Sequence, residues 1–221
     1  MFRKLKERDL PYQGKRKKKK EKTEKKPVAP GKTSIEARPA EVLQRRSFGH
    51  WEMDSVIGKR EKGETMIVLT ERLTRQELIF RSRDKSSIST IEIIDGLERA
   101  VGAECFSIIF KSITCDNGCE LMDEMSLRRS VIRSDERTQI YYCHPFCSGE
   151  RGSNEKNNQM IRRFIKKSTK IEFYSDGDLK RVMTWINNYP RPTHGGKTSQ
   201  MMFEEQIRLL GIPLPEIFKN F

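Results

Sequence analysis

Residues 48–83 read FGHWEMDSVIGKREKGETMIVLTERLTRQELIFRSR, and this stretch decides the fold. It contains three β-rich runs: 48–59 (FGHWEMDSVIGK), 65–71 (TMIVLTE) and 77–83 (ELIFRSR). The links at 60–64 and 72–76 are short and polar, with Gly63 in the first. Short polar links between β-rich runs predict an antiparallel meander of three strands.

After the meander the period changes. Ser86 and Ser87 can cap a helix, and Ile88, Ile91, Ile94, Leu97 and Val101 follow at near-helical spacing, with Gly102 as the stop. A fourth strand is predicted at 107–116 (SIIFKSITCD), ending on the turn signal Asn117-Gly118. Residues 121–137 are highly charged and predicted helical in part. A fifth strand at 139–144 (QIYYCH) stops at Pro145. Two helices follow, at 153–167 and 178–188. The order of strands and helices, βββαβαβα with a further helix, is that of an α/β ribonuclease-H-like fold: a mixed five-stranded sheet flanked by helices.

Upstream the composition differs. The net charge is +13, and residues 1–40 hold 15 Lys+Arg against 5 Asp+Glu, so the other 181 residues carry only +3. We read 1–40 as a basic, largely disordered arm that includes Lys17, Lys18 and Lys19, 41–206 as the core, and 207–221 as a tail. A basic arm on a near-neutral body points to a polyanion, DNA above all. No apolar run approaches the ~20 residues needed to span a bilayer, and no apolar stretch follows the basic start, so a cytoplasmic location and no membrane partner are expected. Five Cys, an odd count, are expected to be reduced thiols; the C-x3-C pairs Cys115/Cys119 and Cys143/Cys147 are not read as zinc sites.

Phosphodiester chemistry commonly uses two hard divalent cations, which require carboxylates brought together from separate elements. Asp54 lies in an otherwise apolar and aromatic strand, where an acid is costly unless paired or metal-bound. Asp116 ends the fourth predicted strand. Glu155 lies near the start of the helix SNEKNNQMIRRFIKK. At roughly 100° per residue, Gln159, Arg162 and Lys166 share its side of that helix, as phosphate-binding groups would, and Met160, Ile161 and Phe164 lie opposite. In a ribonuclease-H-like fold the three acid positions converge beside the sheet. The remaining motifs read more plainly. His50-Trp51 and His144-Pro145 are structural, Trp185, Ile186 and Tyr189 pack the late helix on the body, and HGGKTS (194–199) is a helix entry capped by Thr198 or Ser199.

Four ordered stretches, SIEARPAEVLQRRSFGHWEMDSVIG, ITCDNGCEL, YYCHPFCSGERGSNEKNNQMIRRFIKK and NNYPRPTHGGKTSQMMFEE, resemble the transposases of insertion-sequence family thirty, within the DDE transposase and retroviral-integrase group. The resemblance covers residues 33–206. It implies Asp54, Asp116 and Glu155 as the metal-binding catalytic triad, Mg²⁺ or Mn²⁺ (two ions) as cofactor, transposon ends and target DNA as partners, and a homo-oligomer on DNA. It also singles out Glu155, in the Asn-Glu pair after Arg-Gly, over Glu150 and Glu120. The chain departs from the family pattern at Met53, Ser55, Leu121 and Gly149, and 38 residues separate Asp116 from Glu155, a longer gap than usual. Family members carry an N-terminal helix-turn-helix region, so Met1 beside the basic arm is read as a truncated or interrupted frame. The expected activity is metal-dependent DNA strand cleavage and strand transfer; the alternatives are a non-catalytic DNA-binding remnant and a plain metal-dependent nuclease.

Overall fold

A computed structural model describes residues 26–59, 63–118, 123–145, 147, 150 and 152–219. Lys17, Lys18, Lys19, Cys119 and Glu120 lie outside them. After a single helical turn, α1 (Ala40–Leu43), the predicted meander forms as β1 (His50–Ile57), β2 (Thr65–Glu71) and β3 (Glu77–Ser82), antiparallel throughout. Next come α2 (Ser87–Val101), α3 (Ala103–Ile109), β4 (Ser112–Cys115), α4 (Glu124–Arg128) and β5 (Gln139–Tyr142). The last helices are α5 (Gly152–Phe164), α6 (Asp176–Asn187) and α7 (Ser199–Leu209). The sheet order is β3-β2-β1-β4-β5, with β4 parallel to both β1 and β5. This mixed sheet with flanking helices is the ribonuclease-H-like arrangement that the sequence predicts.

Local signals act largely where expected. Ser86 caps α2, accepting from the Ser89 amide, and Gly102 ends that helix at φ 84°. Thr198 caps α7. Ser175 and Asp178 form a capping box that starts α6 slightly earlier than predicted. The strand expected at 107–116 is corrected: its first half is the end of α3, and only Ser112–Cys115 is extended. Short apolar runs do not reveal their period. Here Phe106, Ile109 and Phe110, at helical spacing, are all buried, and the Phe106 and Phe110 rings stack with centroids 4.5 Å apart.

Two cores cover the two sheet faces. On one, Trp51, Met53, Ile67 and Leu69 pack with Ile94, Leu97, Phe106, Phe110 and Phe203. The Trp51 indole donates to the Ile109 carbonyl at 2.7 Å and stacks on Phe110. Phe218 is buried in the same cluster, and the expected boundary at 206/207 falls inside α7. On the other face, Val56, Met66, Val68 and Ile79 meet Ile161 of α5, Ile165 just after it, and Leu179, Val182 and Ile186 of α6. The charged segment after α4 is tied down by Arg137, fully buried, which reaches Asp95 at 2.6 Å and Glu98 at 3.1 Å on α2. Within the stretch read as arm, Ser34 bridges to Tyr142 and Arg38 is buried against Thr114 at 3.0 Å. Among the described residues, no helix is long and apolar enough to cross a membrane.

A polar layer lies between the sheet and α5. Glu77 of β3 accepts from Thr70 at 2.7 Å and from Asn157 at 2.5 Å. Burial pushes its carboxyl up to about 8, against the pull of those two hydrogen bonds and of Arg191. Between pH 4.5 and 8 the folded chain therefore keeps a proton that the unfolded chain releases, so stability falls as pH rises through that window. Glu77→Gln, an amide mimic of the protonated acid, is expected to remove this decline and to be more stable than the parent at pH 8, by on the order of a few kcal/mol. Urea denaturation from pH 5 to 8 checks it, and parallel pH profiles for the two proteins would refute it.

Candidate active site

β1 alternates in its allegiance. Trp51 and Met53 enter one core, whereas Glu52, Asp54 and Val56 face α5, because residues two apart on a strand share a side. Contacts between β1 and α5 advance in step. Glu52 Oε2 accepts from the Asn154 amide at 3.0 Å, Asp54 Oδ2 accepts from Asn158 Nδ2 at 2.6 Å, and the Ile57 carbonyl accepts from Arg162 Nη2 at 2.7 Å. Two residues of strand advance about 6.6 Å and four of helix about 6 Å, so a helix lying along β1 in the same direction keeps this register over several residues.

The first of these contacts is the anchor. Glu52 is fully buried and paired with Arg72, itself held by the Val42 carbonyl at 3.2 Å. The carboxylate meets the first turn of α5, where backbone amides have no helical partner and the helix dipole favours negative charge. α5 buries Asn154 and Asn157 in its first half and Ile161 in its second, with Ile165 buried just past its end. The apolar stripe expected on Met160, Ile161 and Phe164 is therefore corrected: only Ile161 is buried, and Phe164 is 41% exposed.

Asp116 reaches the same neighbourhood through the sheet. β1 and β4 pair in parallel from His50↔Ser112 to Glu52↔Thr114, a constant offset of 62 residues. Two residues further on, that offset sets Asp116 level with Asp54. Adjacent strands are about 4.8 Å apart, and residues opposite each other in a parallel pair point to one side. Asp116 Oδ1 accepts from the Gly118 amide at 2.8 Å, and Asn117 Nδ2 donates to the Cys143 carbonyl at 2.7 Å, so the Asp-Asn-Gly turn is fixed to β5. Asp54 and Asp116 are both half-buried. Glu155 lies in the first turn of α5, between the residues that contact Glu52 and Asp54; its side chain is outside the described part. Among the described residues no group of three or more His, Cys, Asp or Glu could hold a metal ion.

The donors that are described are hard oxygens. Besides the two Asp carboxylates, Asn158 Oδ1 and Asn117 Oδ1 are buried without a partner, and each belongs to a residue adjoining or bonded to one of those acids. Such a set suits Mg²⁺ or Mn²⁺ better than zinc. Glu150, by contrast, closes its own loop: it accepts from the His144 amide and faces the His144 ring, both at 2.9 Å. Cys115 and Cys143 are buried and take part in no disulfide among the described residues. Of the residues expected to meet phosphate, Gln159 and Lys166 are exposed, while Arg162 is half-buried and partly committed to β1. Of the three late residues expected to pack on the body, Ile186 is buried and Trp185 is partly buried against the same core, but Tyr189 is exposed, which corrects its expected packing role.

Sequence reading missed Glu52 and Asn158. The Glu-x-Asp alternation in HWEMD was a usable signal for Glu52, since it sets both acids on one strand face. No local signal marks Asn158, whose role needs the helix register against β1. Removing one partner of a buried ion pair costs about 3–5 kcal/mol. Glu52→Gln is therefore expected to destabilise the chain by that order, and Arg72→Met added to it should cost much less than the sum of the two single changes. Urea denaturation of the double-mutant cycle checks this; additive costs would show that the pair carries no coupling.

No family model matches the chain. Over 173 residues it is 34% identical to a probable transposase for the insertion-like sequence element IS1161 of Streptococcus salivarius, covering 77% of this chain and 46% of that protein. It is 32% identical over 177 residues to the transposase InsI for insertion sequence element IS30C of Escherichia coli strain K12, covering 80% and 43%. Similarity to the transposase for insertion sequence element IS4351 of Bacteroides fragilis is 29% over 178 residues, covering 80% and 51%. The chain spans about half the length of the curated relatives it matches. Over about four fifths of its length, then, the chain is similar to the transposases of insertion-sequence family thirty.

Proposed function

We propose that this chain carries the catalytic part of a transposase that cleaves DNA strands and transfers them to new sites. The observation that carries the reading is the parallel pairing of β1 with β4 up to Glu52↔Thr114, whose offset, continued past the end of β4, matches Asp54 with Asp116, together with the contacts of the first half of α5 to Glu52 and Asp54. Asp54, Asp116 and Glu155 would hold two divalent ions, Mg²⁺ or Mn²⁺, and the partnerless oxygens of Asn117 and Asn158 fit the same hard-cation chemistry. When bound, such ions activate an attacking oxygen and stabilise the leaving one.

The chain's own residues supply orientation. Asn158 fixes one oxygen of Asp54, and the Gly118 amide fixes one of Asp116. Glu52 holds the first turn of α5 against β1, so the helix cannot slide relative to Asp54 without breaking the Asn154 amide's hydrogen bond to a buried carboxylate. Gln159, Arg162 and Lys166 extend from Glu155 along α5 and would position phosphates. Lys17, Lys18 and Lys19 of the basic arm would add sequence-independent contacts. In the reaction, water hydrolyses a phosphodiester at a transposon end and frees a 3′-hydroxyl. That hydroxyl then displaces a phosphodiester oxygen of target DNA, one P–O bond forming as another breaks. Two ends must be joined to one target, so a homo-oligomer assembled on DNA in the cytosol belongs to the same reading.

Asp116→Asn tests the chemistry. With precut ends and Mn²⁺, nicking and strand transfer should fall to the protein-free level, because an amide is a poorer ligand for a hard cation and carries no charge. DNA affinity should be retained or rise slightly. Nicking that survives the substitution would remove Asp116 from the reaction, nicking without strand transfer would favour a plain nuclease, and a folded, inactive parent would favour a DNA-binding remnant. The arm is tested separately. Replacing Lys17, Lys18 and Lys19 by Gln should flatten the slope of log K against log salt by up to roughly 3, and an unchanged slope would exclude them as phosphate contacts.

A further inference from the structure

We propose that the outer surface formed by the last turn of α5 and by α6 is a stacking site for unpaired nucleotides of single-stranded DNA. Phe164, Trp185 and Tyr189 form one aromatic row there. The Phe164 and Trp185 rings meet edge-on with centroids 4.9 Å apart, and the Trp185 and Tyr189 centroids are 5.1 Å apart. Phe164 is 41% and Tyr189 42% exposed. The sheet-facing core beneath is formed by Ile161, Ile165, Leu179, Val182 and Ile186; Trp185 is partly buried against it, while Phe164 and Tyr189 on either side stay exposed. A groove of about 540 Å³ runs along it, bordered by Lys180, Arg181, Asn188 and Tyr189.

Charge selects the occupant. Residues 156–170 contain Lys156, Arg162, Arg163, Lys166, Lys167 and Lys170 and no acid. The Arg163 guanidinium lies 5.9 Å from the Trp185 ring centroid. The nearby acids are already paired, Asp178 with Arg181 and Asp176 with Arg81 at 2.7 Å. A surface built for another protein is depleted in Lys. Aromatic rings set among cations are what single-strand-binding surfaces share, since rings stack on bases while cations follow the phosphates. Bases in a duplex are already stacked, which leaves unpaired nucleotides as the ligand. Phe164 follows Glu155 by nine residues, about half a turn around the helix at roughly 100° per residue. The row thus faces away from the proposed metal site and does not depend on the proposed chemistry.

The chain contains two Trp, and Trp51 is fully buried against Phe110, so DNA-responsive emission reports Trp185. The full chain is titrated with oligothymidylate of roughly twelve nucleotides, with a duplex, and with inorganic polyphosphate. Saturable quenching is expected with oligothymidylate, weaker quenching with duplex and none with polyphosphate. Trp185→Phe should abolish the responsive emission, and Tyr189→Ala, at an exposed position, should weaken oligothymidylate affinity about five-fold or more. Asp116→Asn should leave the quenching unchanged, so loss of nicking and loss of stacking are separate results. The proposal is overturned by binding without a change in emission, by equal quenching with polyphosphate, by unchanged affinity in Tyr189→Ala, by no binding at all, or by self-association that shields Trp185 without DNA.

Discussion

The arrangement depends on α5 lying in step with β1, and that depends on Glu52. A carboxylate with no exposure would be costly alone. It is tolerated because Arg72 neutralises it and because the first turn of α5 offers the Asn154 amide, which has no helical partner of its own. The three groups solve one another's burial: strand acid, turn cation and helix terminus. Once this corner is set, the near-equal advance of two strand residues and four helix residues brings Asn158 to Asp54, and one turn further the long Arg162 side chain reaches the Ile57 carbonyl. A slip of one helical residue would break all three contacts together.

The two sheet faces are built on different physics. The face toward α2, α3 and α7 is apolar and aromatic, with rings from distant segments meeting around Trp51. The face toward α5 is divided. Its half near Val56 is ordinary hydrophobic packing, but its half near Glu52 and Glu77 is a hydrogen-bonded polar layer containing Asn154, Asn157 and Arg191. Such a layer contributes less to stability than hydrocarbon, and Glu77 remains protonated within it at neutral pH. It does supply direction: hydrogen bonds fix the rotation and depth of a helix in a way that interchangeable aliphatic contacts do not. That division coincides with the end of α5 that bears Glu155.

His50 illustrates the cost of burying titratable groups at strand starts. Burial, and then the charges of Lys111 and Arg72, hold its imidazole down at about 4, while Nδ1 contacts Ser112 at 2.7 Å. The folded state therefore binds fewer protons than the unfolded chain between about 4 and 6.5, and this part of the stability is lost as pH falls through that window. Glu77 acts in the opposite sense between pH 4.5 and about 8, so the two contributions oppose each other where their windows overlap, from about 4.5 to 6.5.

Sequence by itself determined the meander, the order of the strands and the positions of Asp54 within the first strand and Asp116 at the end of the fourth, because alternation, short polar links and Asn-Gly punctuation act locally and survive without knowledge of partners. Helix caps at Ser86 and Thr198 were legible for the same reason. Only the tertiary structure decided what depends on two distant segments meeting. The run at 107–109 is helical because Phe110 stacks on Trp51 and Phe106 on Phe110, a choice its apolar letters leave open. Asn154 and Asn157 are buried and Phe164 exposed because the polar layer, rather than hydrophobicity, orients α5. Glu52 reads as an ordinary strand acid until Arg72, some twenty residues later, and Asn154, about a hundred residues later, are brought to it. Periodicity reports which side of an element is apolar; it cannot report which polar groups on two elements will satisfy one another, and that matching sets the geometry beside Asp54.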